Sequence, residues 1–344
     1  MPVKPGNDLR RLGAILVLGA IAGFGVRYVT SRTTTASREP RTLIDWETAR
    51  RIAVRVSQSS EHPVADRAFR QMQYQRLVER SEPLISAYMG AGLEAPINRV
   101  YVQDRREWLE ANFESFKRLL EPVEQLYSDL GRTSAANTTL GSLNRQMVGV
   151  QLGVLLGYIA RRVLGQYDLS LLSPDPQVRG ALYFVEPNIA RTQAALGVSD
   201  EEFRLWIALH ETSHVFEFEA FPWVRGYFQE LLSQFLGQMS NQLSTLGDGL
   251  GMLFQRMLTG RGNGQHWIET LMTPDQQRVF DKLQALMSLV EGYSNHIMNA
   301  IGGELLPSFH QIEERVSRRQ QNRPLFEELF NRITGMDLKL APYK

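Results

Sequence analysis

From Leu43 onward the apolar residues recur at helical rather than alternating spacing. Ile44, Ala49, Ile52, Ala53 and Val56 form one stripe after Asp45-Trp46-Glu47, and the stretch 57–63 interrupts it. A second helix is expected over 64–87. A third runs from a cap at Asp104 to about Tyr127, with Trp108, Phe113, Phe116, Leu119 and Leu120 on its apolar side. Residues 138–165 make the most apolar helix of this part, and in it Gly149, Gly153 and Gly157 clear one face for close approach of another backbone. Arg145, Gln146, Gln151, Arg161 and Arg162 interrupt its surface, which favours burial in a folded domain over pairing in a membrane. Gly165 ends it, and a loop is expected from Gln166 through Pro176.

Two short runs read as strands, Asn98–Val102 and Ala181–Val185, the second bounded by Gly180 and Pro187. Ser199-Asp200-Glu201-Glu202 has the form of a capping box, so it opens a helix, which Pro222 stops just past Phe221. A long helix is expected over 224–258 and a glycine-rich loop over 260–264. Thr273-Pro274-Asp275-Gln276 then starts a helix with its stripe at Phe280, Leu283, Met287, Val290, Ile297 and Ile301. The pattern predicts a mainly α fold, α+β only through a small β element.

The first 42 residues depart from it. Lys4, Arg10 and Arg11 precede an uncharged run, Leu12–Val26, closed by Arg27. As a helix these residues span roughly 22 Å, less than the ~30 Å of a hydrocarbon core. Three readings stay open: an uncleaved membrane anchor, which is preferred, a cleaved export signal, and a buried or peripheral helix. Basic residues flank both ends, so charge gives no orientation. Thr33–Pro40 reads as a linker, which divides the chain into 1–42 and a domain over 43–344. The chain is thus expected at a membrane through one N-terminal segment, or exported.

Composition narrows the chemistry. Lys+Arg 38 against Asp+Glu 37 leaves no basic surplus for neutralising phosphates, so no nucleic-acid partner is expected. The absence of cysteine removes thiolate ligands, disulfides and a thiol nucleophile together, so a metal must be held by His and carboxylate.

Against that background His210-Glu211-Thr212-Ser213-His214 stands out. On a helix its histidines lie one turn apart on one face and can reach a single ion, with Glu211 beside it to take a proton from an acidified water. Phe203, Trp206 and Ile207 lead into the histidines on one continuous apolar face. The bland reading, two core histidines bonded to backbone or carboxylate, is weakened by the intervening Glu and the marked helix start. Glu217 and Glu219 follow too closely to fold back as a third ligand, so hydrogen bonding to a histidine ring suits them better. Glu291 adjoins the apolar stripe of the last long helix, where a carboxylate is costly unless paired or metal-bound. It is the preferred third ligand, the alternative being a position at the solvent boundary.

The motif together with Phe216-Glu217-Phe218-Glu219, Pro222-Trp223, Gly165-Gln166-Tyr167-Asp168, Pro187-Asn188 and Glu291-Gly292 resembles a largely uncharacterised bacterial family of zincin-like metallopeptidases. Some members are labelled with deazaflavin-coenzyme biosynthesis, which nothing in these residues supports. The resemblance runs from Ile44 to near the C-terminus. It implies zinc on His210, His214 and Glu291, with Glu211 as general base. Enzymes of this kind often carry an Asp four residues after the third ligand to orient a histidine. This chain has Asn295 there, and Tyr293 where the family commonly has His.

The expected function is therefore zinc-dependent hydrolysis of a peptide bond in a peptide or protein substrate. Candidate oxyanion donors are Tyr167, Tyr293 and His296, Tyr167 being read more readily as a ring packed under a turn. The competing expectation is a membrane-tethered helical interaction protein whose zinc is structural or vestigial.

Overall fold

The computed structural model describes residues 42–58, 64–130, 139–167, 180–246 and 273–321. The N-terminal segment with its anchor or signal reading, the loop at 260–264 and the last part of the helix expected through Leu258 lie outside the described residues. Among those described, no helix is long and apolar enough to cross a membrane.

The fold is mainly helical. Helices α1 (Trp46–Ser57) and α2 (Arg67–Met89) lead to strand β1 (Val100–Gln103), then α3 (Arg105–Leu130) and α4 (Thr139–Ala160). Strands β2 (Gly165–Tyr167) and β3 (Leu182–Val185) are followed by α5 (Glu186–Leu196) and α6 (Asp200–Val215). A π-helical turn, Phe216–Ala220, joins α6 to α7 (Pro222–Leu246), and α8 (Pro274–Leu305) and α9 (Phe309–Gln321) complete the described chain. The sheet has the order β1-β3-β2, with β1 parallel and β2 antiparallel to β3.

The predicted starts hold where side chains cap them. Asp104 Oδ1 accepts from the Glu107 amide at 2.9 Å while the Glu107 carboxylate accepts from the Asp104 amide at 2.8 Å, a reciprocal cap for α3. Thr273 and Gln276 make the same exchange at α8. At α6 only half of the box forms. Ser199 Oγ accepts from the Glu202 amide at 3.4 Å, and the Glu202 carboxylate instead accepts from the Ser308 amide at 2.8 Å, tying α6 to the turn before α9.

Other expectations are corrected. The helix expected to Gly165 ends at Ala160, and Gly165–Tyr167 pairs with β3 as a three-residue edge strand, too short for an alternating pattern to show, while the rest of the loop expected through Pro176 lies outside the described residues. Residues 186–196 are helical, a segment the strand-ending reading of Pro187 left unassigned, because a proline at N1 or N2 starts a helix as readily as it ends a strand. On α8 Val290 and Ile297 are buried as the stripe predicts, but Val279 and Leu286 join them and Met287 lies partly in solvent.

Packing explains how the pieces meet. A Cβ on Gly149 would lie 2.5 Å from the Asp45 carbonyl oxygen and one on Gly157 2.6 Å from that of Ala53, so the glycine face of α4 receives the backbone of α1. With Trp108, Leu109 and Phe113 of α3 these helices enclose one apolar cluster. The larger cluster sets α6 against the face of the sheet made by Val100, Val102, Leu182 and Phe184, between α2 and α8. At the start of α6 the fully buried Arg204 donates to both carboxylate oxygens of Glu186 (3.1 and 2.8 Å) and to Tyr74 Oη (2.8 Å), with Asp200 one turn before it. A charge that deep is tolerable only when paired. The knot pins α6 to α2 and α5.

Candidate metal centre

The histidine helix is ordered by its own apolar face. Phe203, Trp206 and His210 stack along α6 with centroid separations of 6.1 Å at each step. His214 follows one turn on, its ring edge-on to His210 at 4.8 Å. Glu291 reaches both rings from α8, with Oε2 3.9 Å from His210 Nε2 and Oε1 3.7 Å from His214 Nε2. One donor atom from each of the three residues lies within 4.8 Å of the others. In a filled tetrahedral zinc site, with bonds of roughly 2.0–2.1 Å, ligand atoms sit about 3.4 Å apart. The three donors therefore need only small side-chain adjustments to close on one ion, and two imidazoles with a carboxylate suit zinc. The Glu291 side chain is 51% exposed, so the cluster opens to solvent on that side.

Burial and charge separate the titrating groups. Burial, helped by the positive charge of His214, drives His210 down to about 3, leaving it neutral and able to coordinate. For His214 burial works in the same direction. The hydrogen bond to Glu217 and the negative charges of Glu211, Glu217 and Glu291 outweigh it and push the ring up to about 9. Burial raises Glu211 to about 7, Glu291 adding to the rise and His214 opposing it.

The surroundings of the cluster come from four elements. Gly165 of β2 lies directly against Glu211: a Cβ there would be 2.5 Å from Glu211 Cγ and Oε1. In the π-helical turn after α6, Glu217 meets His214, its Oε2 2.7 Å from Nδ1. Ser294 Oγ of α8 is 3.1 Å from that same nitrogen and donates to Glu217 Oε2, also at 3.1 Å. Glu217 in addition walls a largely apolar cavity of about 290 Å³ with Trp223, Leu289 and Tyr293.

The remaining sequence candidates stand elsewhere. Asn295 is exposed, and its backbone carbonyl accepts from Asn299 Nδ2. The buried Nδ1 of His210 has no partner among the described residues. Tyr167 stacks on Phe218 and donates to Glu219 Oε1 at 2.9 Å, which also accepts from the Gly180 amide at 3.0 Å, so its ring is packed and its hydroxyl engaged. His296 Nε2 meets Tyr88 Oη at 2.8 Å, and Tyr293 stacks on the His296 ring in an exposed group on α2 and α8. Ser294 and Gly165 were not picked out as functional from sequence. The trace of Ser294 is a small polar residue inside the stripe between Val290 and Ile297.

A mainly helical domain with a two-histidine, one-glutamate cluster on facing helices and a carboxyl group beside it defines a candidate metallohydrolase. Consistent with this, the model of the zincin-like metallopeptidases matches residues 44–344, and the chain belongs to that family. It is also similar to a crystal structure from Chloroflexus aurantiacus described as a presumed hydrolase with a novel fold. The two are 49% identical, the match covers 88% of this chain and 84% of that one, and the TM-score is 0.64. No curated protein matches the chain at a significant level.

Proposed function

We propose that this protein is a zinc-dependent peptidase that holds the ion on His210, His214 and Glu291 and uses Glu211 as its general base. The observation that carries the reading is the convergence of those three donors within 4.8 Å between α6 and α8, beside the buried carboxyl group of Glu211. Zinc bound there would supply Lewis acidity and acidify a water. Glu211, its carboxyl group confined against Gly165, would take a proton from the water whose oxygen adds to the peptide carbonyl and deliver it to the leaving amine as the C–N bond breaks, so that acid and amine are released. His210 and His214 would hold the ion through Nε2, the nitrogens that face Glu291. The half-exposed third donor argues against a closed structural zinc.

The substrate is a peptide or protein, and tethering to a membrane through Leu12–Val26 belongs to the same proposal. Cleavage of a peptide library by the zinc-loaded protein tests the reading. Glu211→Gln is expected to lower cleavage by about 10²–10⁴ with zinc retained. Equal cleavage by the variant would sink it.

A further inference from the structure

We propose that Ser294 is a positioning residue that locks α8 onto the histidine helix, holding the Glu217 carboxylate on His214 Nδ1 and with it the place of Glu291. The inference rests on the reading of His210, His214 and Glu291 as zinc ligands and adds to it the residue that sets their geometry.

The other buried serine and threonine hydroxyls on α2 and α6 bond back within their own helix. Ser81 Oγ donates to the Leu77 carbonyl at 2.8 Å, Thr212 Oγ1 to Ala208 at 2.6 Å and Ser213 Oγ to Leu209 at 2.9 Å. Ser294, fully buried, reaches across to α6 and the π-helical turn instead, at 3.1 Å from both His214 Nδ1 and Glu217 Oε2. The three groups form a closed set. A histidine that coordinates through Nε2 carries its proton on Nδ1, and that N–H points to Glu217 Oε2 at 2.7 Å while the serine hydroxyl donates to the same oxygen. Glu291 stands three residues before Ser294, one turn along α8, so the contact that fixes the rotation of α8 at residue 294 also fixes where the Glu291 carboxylate emerges. Asn295, one residue further, is turned to solvent and takes no part in that contact.

Zinc affinity measured by competition with a chromophoric chelator, together with the visible spectrum of the cobalt-loaded protein, tests this. Ser294→Ala is expected to weaken zinc binding about tenfold and to shift the cobalt bands, whereas Ser294→Thr, which keeps the hydroxyl, restores both. In a Glu217→Gln background the further change Ser294→Ala is expected to cost less than about twofold, because the serine acts through that carboxylate. Circular dichroism of each variant shows that the fold is kept. Affinity within about twofold of wild type with unshifted bands in Ser294→Ala would overturn the proposal, as would the full loss recurring in the Glu217→Gln background. Wild-type protein that binds no zinc would instead remove the underlying assignment of the site.

Discussion

Glu211 has its freedom removed by a residue with no side chain. Because a Cβ at position 165 would press on its Cγ and Oε1, Gly165→Ala should displace the carboxyl group. The expected outcome is at least a tenfold fall in turnover and about 1–3 kcal/mol of lost stability, read from kinetics and urea unfolding of one preparation. The histidines make a second prediction. His210 is already neutral above about pH 3, but His214 in the metal-free protein keeps its proton to about 9. Binding a cation must release that proton, so zinc affinity should climb about tenfold per pH unit between 7.5 and 9. A ring with the ordinary value near 6.5 would give a flat line there, and competition titrations across that range decide between them. At this scale the spacing of His210, Glu211 and His214 made the candidate site legible, and the structure brings Glu291 to the two histidines. Ser294 and Gly165 were not legible as site residues, because each matters only through a contact with a distant segment that a linear pattern does not contain.

Among elements, those with caps and long stripes were legible. The glycine ladder of α4 announced a close partner without saying which, and the structure supplies α1. Gly153→Ala forces a Cβ into the Ala49 carbonyl and is expected to cost about 1–3 kcal/mol in thermal unfolding while zinc affinity stays unchanged. Gly226→Ala is the control: nothing lies within 4 Å of its Cβ position on α7, so it should gain about 0.5–1 kcal/mol of helix stability. The π-helical turn was hidden because a wider turn leaves the composition of Phe216–Ala220 unchanged, whereas Glu217 meets His214 as residues three apart do on a helix face. Glu219, two residues on, goes to Tyr167 and the Gly180 amide.

In the whole molecule the candidate centre depends on α6 and α8 meeting at a set register, and α6 is held from its other end. Arg204→Met would take from buried Glu186 the closer of its two cations, leaving Arg70 at 3.4 Å, and the expected loss is about 3 kcal/mol in urea unfolding. A loss below about 1 kcal/mol would mean that the knot does not anchor the helix. The mainly helical class was legible in the apolar stripes, the family's span over residues 44–344 in its motifs, and β1 and β3 in their own runs, but the β1-β3-β2 order was not, since it joins short segments far apart in sequence. The central claim, that His210, His214 and Glu291 form one zinc site, is tested most directly by counting zinc per chain in protein purified without added metal, for wild type and Glu291→Ala side by side. The account predicts about one ion per wild-type chain and a large loss in the variant. A wild type without zinc, or stoichiometric zinc that survives Glu291→Ala, would contradict it.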